Sequence, residues 1–164
     1  MIAHVLLIDD EQAFSDSMRA FFQTAGIELD YAGTWKDGLD AFRVGQHELV
    51  IADYNLPGSL HGLRLLLEIR RLRPSSRLIL ISGALRDEAK DLVPKTGLVD
   101  RFLPKDDKLA EELLIEAEAA VKRAEGPTDW QQVARAHVNW AALDDKVVEN
   151  IDQALKSHVA QGQQ

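Results

Sequence analysis

The sequence predicts an α/β fold in which five parallel strands alternate with helices in a doubly wound sheet. Short apolar runs, too short for helices and too apolar for exposed strands, alternate along the chain with segments of helical spacing. Glycines and prolines separate many of these segments. Because strands that alternate with helices pair in parallel through right-handed crossovers, the alternation indicates one parallel sheet with helices on both faces.

The first strand, first helix and second strand are predicted within residues 5–32. Val5 to Ile8 is an apolar run that ends at acidic residues, and Ile27 to Ala32 is a second short strand. Between them a helix begins at Gln12, and Gly26 stands where a left-handed C-cap would end it. The predicted apolar stripe of this helix comprises Ala13, Phe14, Met18, Phe21 and Phe22.

The remaining elements of the sheet domain follow in the same alternation. Thr34 with Asp37 resembles a capping box that opens a second helix, with Trp35, Leu39 and Phe42 directed inward. The third helix carries several arginines, which are interpreted as a solvated face: Arg64, Arg70, Arg71 and Arg73. The predicted strands cover residues 49–52, 78–81 and 99–103, and the predicted helices cover residues 34–45, 63–72, 86–92 and 107–123.

Composition limits the class of protein. The chain has 164 residues, of which 46% are hydrophobic and 28% charged, as expected for one globular domain with an appendage. It contains no cysteine, which excludes disulfides and fits a reducing cytoplasm. No basic leader or long apolar span is present, so we predict a cytoplasmic protein without a membrane segment. A formal charge of -8 opposes non-specific binding to nucleic acid.

Polar side chains stand where four of the predicted strands end. Asp9 and Asp10 follow the first strand, Asp53 follows the third, Ser82 follows the fourth and Lys105 follows the fifth. In open α/β sheets, ligands bind beyond the carboxyl ends of the strands. Carboxylate oxygens suit magnesium, while a hydroxyl and an ammonium suit phosphoryl oxygens. Singly, these residues are more often caps, turns or surface groups, but as a set they predict phosphoryl chemistry on a carboxylate.

These motifs resemble the receiver domain of two-component response regulators, the CheY-like form of the flavodoxin-like fold. The resemblance covers residues 1–124 and implies the strand order 2-1-3-4-5. It rests on Asp9-Asp10, on the run Asp-Tyr-Asn-Leu-Pro-Gly that begins at Asp53, on Ser82-Gly83-Ala84 and on Lys105.

The resemblance implies a phosphoacceptor and a magnesium site. Asp53 would accept a phosphoryl group from a phosphohistidine on a sensor histidine kinase or phosphotransfer protein, or from a small phosphodonor. Asp10 and Asp53 would bind Mg²⁺ directly, together with the backbone carbonyl of Asn55, and Asp9 would act through water. The protein would assist its own phosphorylation and dephosphorylation without turning over a separate substrate.

The resemblance also implies a phosphate-holding pair and a switch. Ser82 and Lys105 would hold the phosphoryl oxygens, and Phe102 occupies the position of the aromatic residue that turns inward when the hydroxyl follows the phosphate. A buried core residue of the fifth strand is the alternative interpretation of Phe102. The family usually has proline immediately after the lysine, whereas here Pro104 precedes Lys105 and Asp106 follows it. The geometry of this loop is therefore left open by the sequence.

The expected function is a phosphorylation-dependent switch of protein–protein interactions. A receiver-fold scaffold or dimerisation module that works without phosphorylation is the main alternative. A hydrolase of the haloacid dehalogenase type also uses an aspartate at a strand end. Such a hydrolase needs a second aspartate at the position where this sequence has Asn55. This interpretation therefore ranks low.

Residues 125–164 are predicted to form a helical extension. Gly126-Pro127 breaks the preceding pattern, and the extension is either one long helix or a hairpin bent near residues 143–145. Acids outnumber Lys and Arg here, which makes DNA binding unlikely. An apolar stripe indicates an interface with the chain's own receiver domain, with a second copy or with another partner, and of these we favour a homodimer through these helices. The stripe includes Trp130, Val133, Trp140, Val147, Ile151 and Leu155.

Overall fold

The computed structural model describes residues 4–45, 47–57, 62–83 and 98–125, together with Gln153. Five strands and four helices lie within these ranges. In chain order they are β1 (His4–Ile8), α1 (Gln12–Thr24), β2 (Glu28–Ala32), α2 (Trp35–Gly45), β3 (Leu49–Asp53), α3 (Gly62–Leu72), β4 (Arg77–Ser82), β5 (Arg101–Pro104) and α4 (Leu109–Glu125).

The five strands form one parallel sheet in the order β2-β1-β3-β4-β5. This confirms the predicted fold class and strand order. Ile8 lies opposite Ala52, and Ser82 lies opposite Pro104, so neighbouring strands end at similar heights. The residues that follow the strands are therefore collected at one edge of the sheet.

An apolar core covers each face of the sheet. Side chains of β3 alternate between the two cores, with Val50 and Ala52 on one face and Leu49 and Ile51 on the other. The first core packs against α2 and α3, and the second packs against α1 and α4. All five residues of β3 are buried, as expected for a central strand of a parallel sheet.

Local differences from the predicted elements have physical causes. Ala13, predicted in the apolar stripe of α1, is exposed because it lies about half a turn around the helix from the buried Phe22. Helix α4 begins at Leu109 rather than at 107, because the Asp106 carboxylate first accepts a hydrogen bond from the N–H of Lys108 in a turn. Gly26 does adopt the expected left-handed conformation, with φ of 72°.

The predicted solvated arginine face of α3 is wrong at Arg70, which is fully buried. Its guanidinium donates to the carbonyl oxygens of Leu98, Pro74 and Ser76, and it lies 3.3 Å from the Asp100 carboxylate. Five fixed donors allow one guanidinium to satisfy several buried acceptors. The other three arginines of the set, Arg64, Arg71 and Arg73, are half-buried.

Some predictions fall outside the described residues. These are the helix over residues 86–92, the loop residues 58–61 and, apart from Gln153, the extension from residue 126 onward with its apolar stripe. Within the described ranges, every helix is too short or too polar to span a membrane.

Gly62 brings the start of α3 directly against the end of β3. Its N–H donates to the carbonyl oxygen of Tyr54 at 3.2 Å, and a Cβ atom here would lie only 2.3 Å from the carbonyl oxygen of Asp53. A side chain at position 62 must therefore push the helix and the strand end apart.

Gly62→Ala is expected to lower the free energy of unfolding by about 1–3 kcal/mol through this overpacking. Urea denaturation measures the change. Gly83→Ala is the matched control: among the described residues nothing lies within 4 Å of the added carbon, so the change should stay within about 0.5 kcal/mol. Equal stability of the two variants would contradict the close approach at Gly62.

Candidate functional site

The predicted site residues meet at the carboxyl edge of the sheet. Asp9 follows β1, Asp53 ends β3, Ser82 ends β4 and Lys105 follows β5. Strands β1, β3, β4 and β5 are consecutive neighbours in the sheet. Four chain segments that are distant in sequence therefore present polar side chains to one place.

Three carboxylates form a compact acidic cluster. Asp9, Asp10 and Asp53 each offer one oxygen, and these atoms all lie within 4.8 Å of one another. Asp9 and Asp53 are buried, whereas Asp10 is exposed. Backbone N–H groups fix the buried pair: Glu11 donates to Asp9 Oδ1 at 2.8 Å, and Asn55 donates to Asp53 Oδ1 at 3.2 Å. The cluster is thus held by the turns that follow β1 and β3.

The ammonium of Lys105 lies between acids from three positions. Its Nζ atom is 2.8 Å from Asp9 Oδ2, 3.1 Å from Glu11 Oε2 and 3.3 Å from Asp53 Oδ2. It also lies 5.0 Å from the centre of the Phe14 ring, within the range of a cation–π contact. One cation therefore balances part of a strongly negative site.

The unusual order of Pro104 and Lys105 does not keep the lysine from the site. The N–H of Lys105 donates to the carbonyl oxygen of Ser82 at 3.0 Å, continuing the pairing of β4 with β5 by one residue. The N–H of Asp106 then donates to the carbonyl oxygen of Pro104 at 2.9 Å. All peptide bonds in the described part of the chain are trans. A short turn of this kind carries Lys105 to Asp53.

Burial and charge shift the protonation of the two central groups in the same direction. Burial raises the pKa of Asp53, and the opposing effects of the Lys105 ammonium and the Asn55 N–H only partly offset it. Burial alone would lower the pKa of Lys105, but its ion pair with Asp9 and the charge of Asp53 raise it above its ordinary value. Lys105 is therefore a permanent cation at neutral pH.

Ser82 and Phe102 are both buried, on the neighbouring strands β4 and β5. Ser82 is fully buried at the end of β4, and Phe102 lies in the core shared with α2 and α3, opposite Leu80 in the strand register. The aromatic ring is thus inside the protein in this conformation. The switching role of the two residues stays a prediction.

Sequence reasoning missed Glu11 and Phe14 as neighbours of the lysine. In the sequence, Glu11 stands out only as part of an acidic run, and Phe14 only as part of a helical stripe. Glu11 and Lys105 are 94 residues apart in sequence. Spacing along a chain carries no signal for such a contact, although both residues belong to segments that the parallel topology brings together.

The site's chemistry suits a divalent cation and an oxyanion. Three carboxylates surround one ammonium and Asp10 lies beside two of them, so a divalent cation would offset charge that Lys105 leaves unbalanced. Lys105 and the Ser82 hydroxyl supply donors that an anion would need. The fold and the site together define a doubly wound α/β domain with an acidic cluster and one ammonium at the carboxyl edge of its sheet.

Comparisons with known proteins agree with this class. The family model for the response regulator receiver domain matches residues 5–117. The chain therefore belongs to the response regulator receiver domain family, the receiver module of two-component regulation. Solved structures share the fold: a response regulator receiver domain from Clostridium thermocellum is 27% identical with a TM-score of 0.66, covering 76% of this chain and 98% of that chain. A CheY-like receiver domain protein from Methanospirillum hungatei is 25% identical with a TM-score of 0.64, covering 77% and 100%.

Two curated relatives place the similarity in longer proteins. The sensor histidine kinase AtsR of Burkholderia thailandensis is 30% identical over 62% of this chain and 17% of the kinase. The transcriptional activator protein PfeR of Pseudomonas aeruginosa is 28% identical over 92% of this chain and 48% of the activator. The chain spans about half or less of the length of these two relatives.

Proposed function

We propose that this protein is a two-component response regulator in which Asp53 accepts a phosphoryl group. The observation that carries the proposal is the convergence of Lys105, Asp9 and Asp10 on the Asp53 carboxylate. The permanent cation lies next to the buried carboxylate. It can therefore offset the negative charge of a phosphoryl group that is bonded to this carboxylate. The donor would be a phosphohistidine on a sensor histidine kinase or phosphotransfer protein.

In the proposed reaction an Asp53 oxygen attacks phosphorus. The new O–P bond forms as the P–N bond to the donor imidazole breaks, and the imidazole leaves with the electron pair and takes up a proton. Lys105 then pairs with a phosphoryl oxygen, as its present distance of 3.3 Å from Asp53 Oδ2 allows. The Ser82 hydroxyl would donate to a second oxygen. The protein promotes this transfer to itself and has no separate substrate to turn over.

Magnesium is the proposed cofactor, held by Asp10, Asp53 and the Asn55 carbonyl, with Asp9 acting through water. Bound there, Mg²⁺ would neutralise charge on the phosphoryl oxygens and on the acids. The separation of one oxygen from each of the three carboxylates fits this role, since all lie within 4.8 Å. Magnesium commonly binds through one or two carboxylates and keeps several waters, which favours the exposed Asp10 as a direct ligand.

Asp10→Ala is expected to weaken Mg²⁺ binding at least as much as Asp9→Ala. Asp10 is exposed to the entering ion, whereas both oxygens of Asp9 already face partners, the Glu11 N–H and the Lys105 ammonium. Isothermal titration calorimetry with MgCl₂ measures the two affinities. Asp40→Ala, an exposed aspartate on α2, is the control and should bind like the wild type. A larger loss in Asp9→Ala than in Asp10→Ala would contradict the proposed ligand order.

The proposed output is a change in protein–protein contacts through Ser82 and Phe102. Phosphorylation would draw the Ser82 hydroxyl toward the phosphate. The movement at the end of β4 would then change the position of Phe102 on the neighbouring strand. Three predictions from the sequence are kept as predictions. They are homodimerisation through residues 125–164, the absence of DNA binding and a cytoplasmic location.

Beryllofluoride, an analogue of the phosphoryl group, tests the proposal. In the presence of MgCl₂ it should occupy the wild-type site, give bound ¹⁹F resonances and shift the amide resonances of residues near Asp53. Without magnesium, occupancy should fall strongly. A wild-type protein that binds no beryllofluoride at saturating magnesium would favour the receiver-fold scaffold that acts without phosphorylation.

A further inference from the structure

We propose that Glu11 is a positioning residue that competes with the incoming phosphoryl group for Lys105. The proposal rests on the proposed function and concerns the readiness of the same site to accept an anion. In the resting site the Glu11 carboxylate holds one of the three N–H donors of the lysine, and it competes for the ammonium with a phosphoryl oxygen that arrives there.

The Lys105 ammonium already has carboxylate partners. Its Nζ atom donates to Glu11 Oε2 at 3.1 Å and to Asp53 Oδ2 at 3.3 Å, and it forms an ion pair with Asp9 Oδ2 at 2.8 Å. Two of its three N–H groups are therefore held by Glu11 and Asp53. A phosphoryl oxygen bonded to Asp53 would compete with the Glu11 carboxylate for the lysine.

Glu11 is the partner that can withdraw most easily. Its side chain is 65% exposed, whereas those of Asp9 and Asp53 are 0% and 8% exposed. Water can solvate the released Glu11 carboxylate, but not the buried Asp9 carboxylate. The Glu11 N–H that supports Asp9 belongs to the backbone, so movement of the side chain leaves the acidic cluster intact.

The charge of Glu11 acts in opposite ways on the two proposed ligands. A carboxylate at the mouth of the site attracts a divalent cation and offsets part of the Lys105 charge, which repels that cation. The same carboxylate repels an oxyanion and occupies the donor that the anion needs. Removing the charge should thus weaken magnesium binding and strengthen anion binding.

Glu11→Gln is therefore expected to change the two affinities in opposite directions. At saturating MgCl₂, the affinity for beryllofluoride should rise about two- to fivefold, the range expected for loss of an exposed ion pair. The affinity for Mg²⁺ alone should fall by a similar factor. The substitution keeps the size of the side chain, and Glu11 makes no side-chain capping hydrogen bond to α1, so the helix start is preserved.

The experiment titrates wild type, Glu11→Gln and Glu118→Gln first with MgCl₂ and then with beryllofluoride, using calorimetry and ¹⁹F NMR. Glu118→Gln removes the same charge from an exposed position on α4 and should leave both affinities unchanged. Opposite shifts in Glu11→Gln alone support the proposal, because a merely structural defect would weaken both ligands. Affinities of Glu11→Gln that match the control, or that both fall, overturn the competition while leaving the proposed function standing. A wild-type protein that binds no beryllofluoride overturns both.

Discussion

Arg70→Met is expected to lower the free energy of unfolding by about 3–5 kcal/mol, the usual cost of breaking a buried ion pair from one side. Arg70 is fully buried at the end of α3, and its guanidinium joins that helix to the segment before β5. Methionine fills much of the same space but donates no hydrogen bond. Chemical denaturation followed by circular dichroism measures the change.

The large effect follows from the groups that Arg70 would leave behind. Three carbonyl oxygens, those of Leu98, Pro74 and Ser76, would lose a donor. The buried Asp100 carboxylate would keep the N–H of Leu78 at 2.8 Å but lose its nearest full positive charge. Buried acceptors that lose a donor, and a buried carboxylate that loses a positive charge, carry most of the cost.

Arg43→Met supplies the control for Arg70→Met. Arg43 and Asp40 form an exposed pair on α2 at 3.6 Å, and such pairs contribute about 0–1 kcal/mol. A loss of stability at position 70 no greater than that at position 43 would mean that the buried network does not support the fold as described.

Asp53→Asn is expected to abolish phosphoryl transfer to the protein. An amide cannot serve as the nucleophile, and it removes one proposed magnesium ligand as well. Incubation of the variant with acetyl phosphate and MgCl₂, followed by intact-mass measurement, should find no phosphoryl adduct. Asp40→Asn, an exposed change of the same kind on α2, should leave incorporation unchanged.

Loss of transfer in Asp53→Asn should not come from unfolding. Burial raises the pKa of Asp53, so the folded state binds its proton more tightly than the unfolded state does. The free energy of unfolding therefore falls as pH rises from the unfolded pKa to the folded pKa, and the cost remains at neutral pH. An amide escapes this cost, and Lys105 keeps Asp9 and Glu11 as partners. The melting temperature at pH 7 should be equal to or above that of the wild type.

The fold and the position of the acidic cluster were predictable because local patterns encode them. Apolar runs ending at Asp9, Asp53 and Ser82 mark strands that a parallel sheet must bring to one edge, and the structure brings these residues together. Lys105 follows from the same reasoning, despite the proline before it. The start of α4 was predicted less accurately, since a side-chain turn at Asp106 delays the helix. Strand β5 covers Arg101–Pro104 instead of the predicted residues 99–103.

Other features were harder to predict, for different reasons. Arg70 stands at i+7 from Leu63, with Leu66 and Leu67 between them, so helical spacing did place it on the buried stripe of α3. The prediction was wrong because it followed the general rule that arginine side chains are solvent-exposed, and not the helical spacing. Glu11 differs, because its contact with Lys105 joins two turns at the sheet edge that are distant in sequence. No local sequence pattern indicates such a contact.

Peptide mapping by mass spectrometry tests the central claim most directly. Wild-type protein treated with acetyl phosphate and MgCl₂ should carry a single acid-stable, base-labile phosphoryl group on the peptide that contains Asp53, and chelation of magnesium should prevent its formation. A phosphoryl group on any other residue, or none at all on a protein that is folded and loaded with magnesium, would contradict the assignment of Asp53 as the phosphoacceptor.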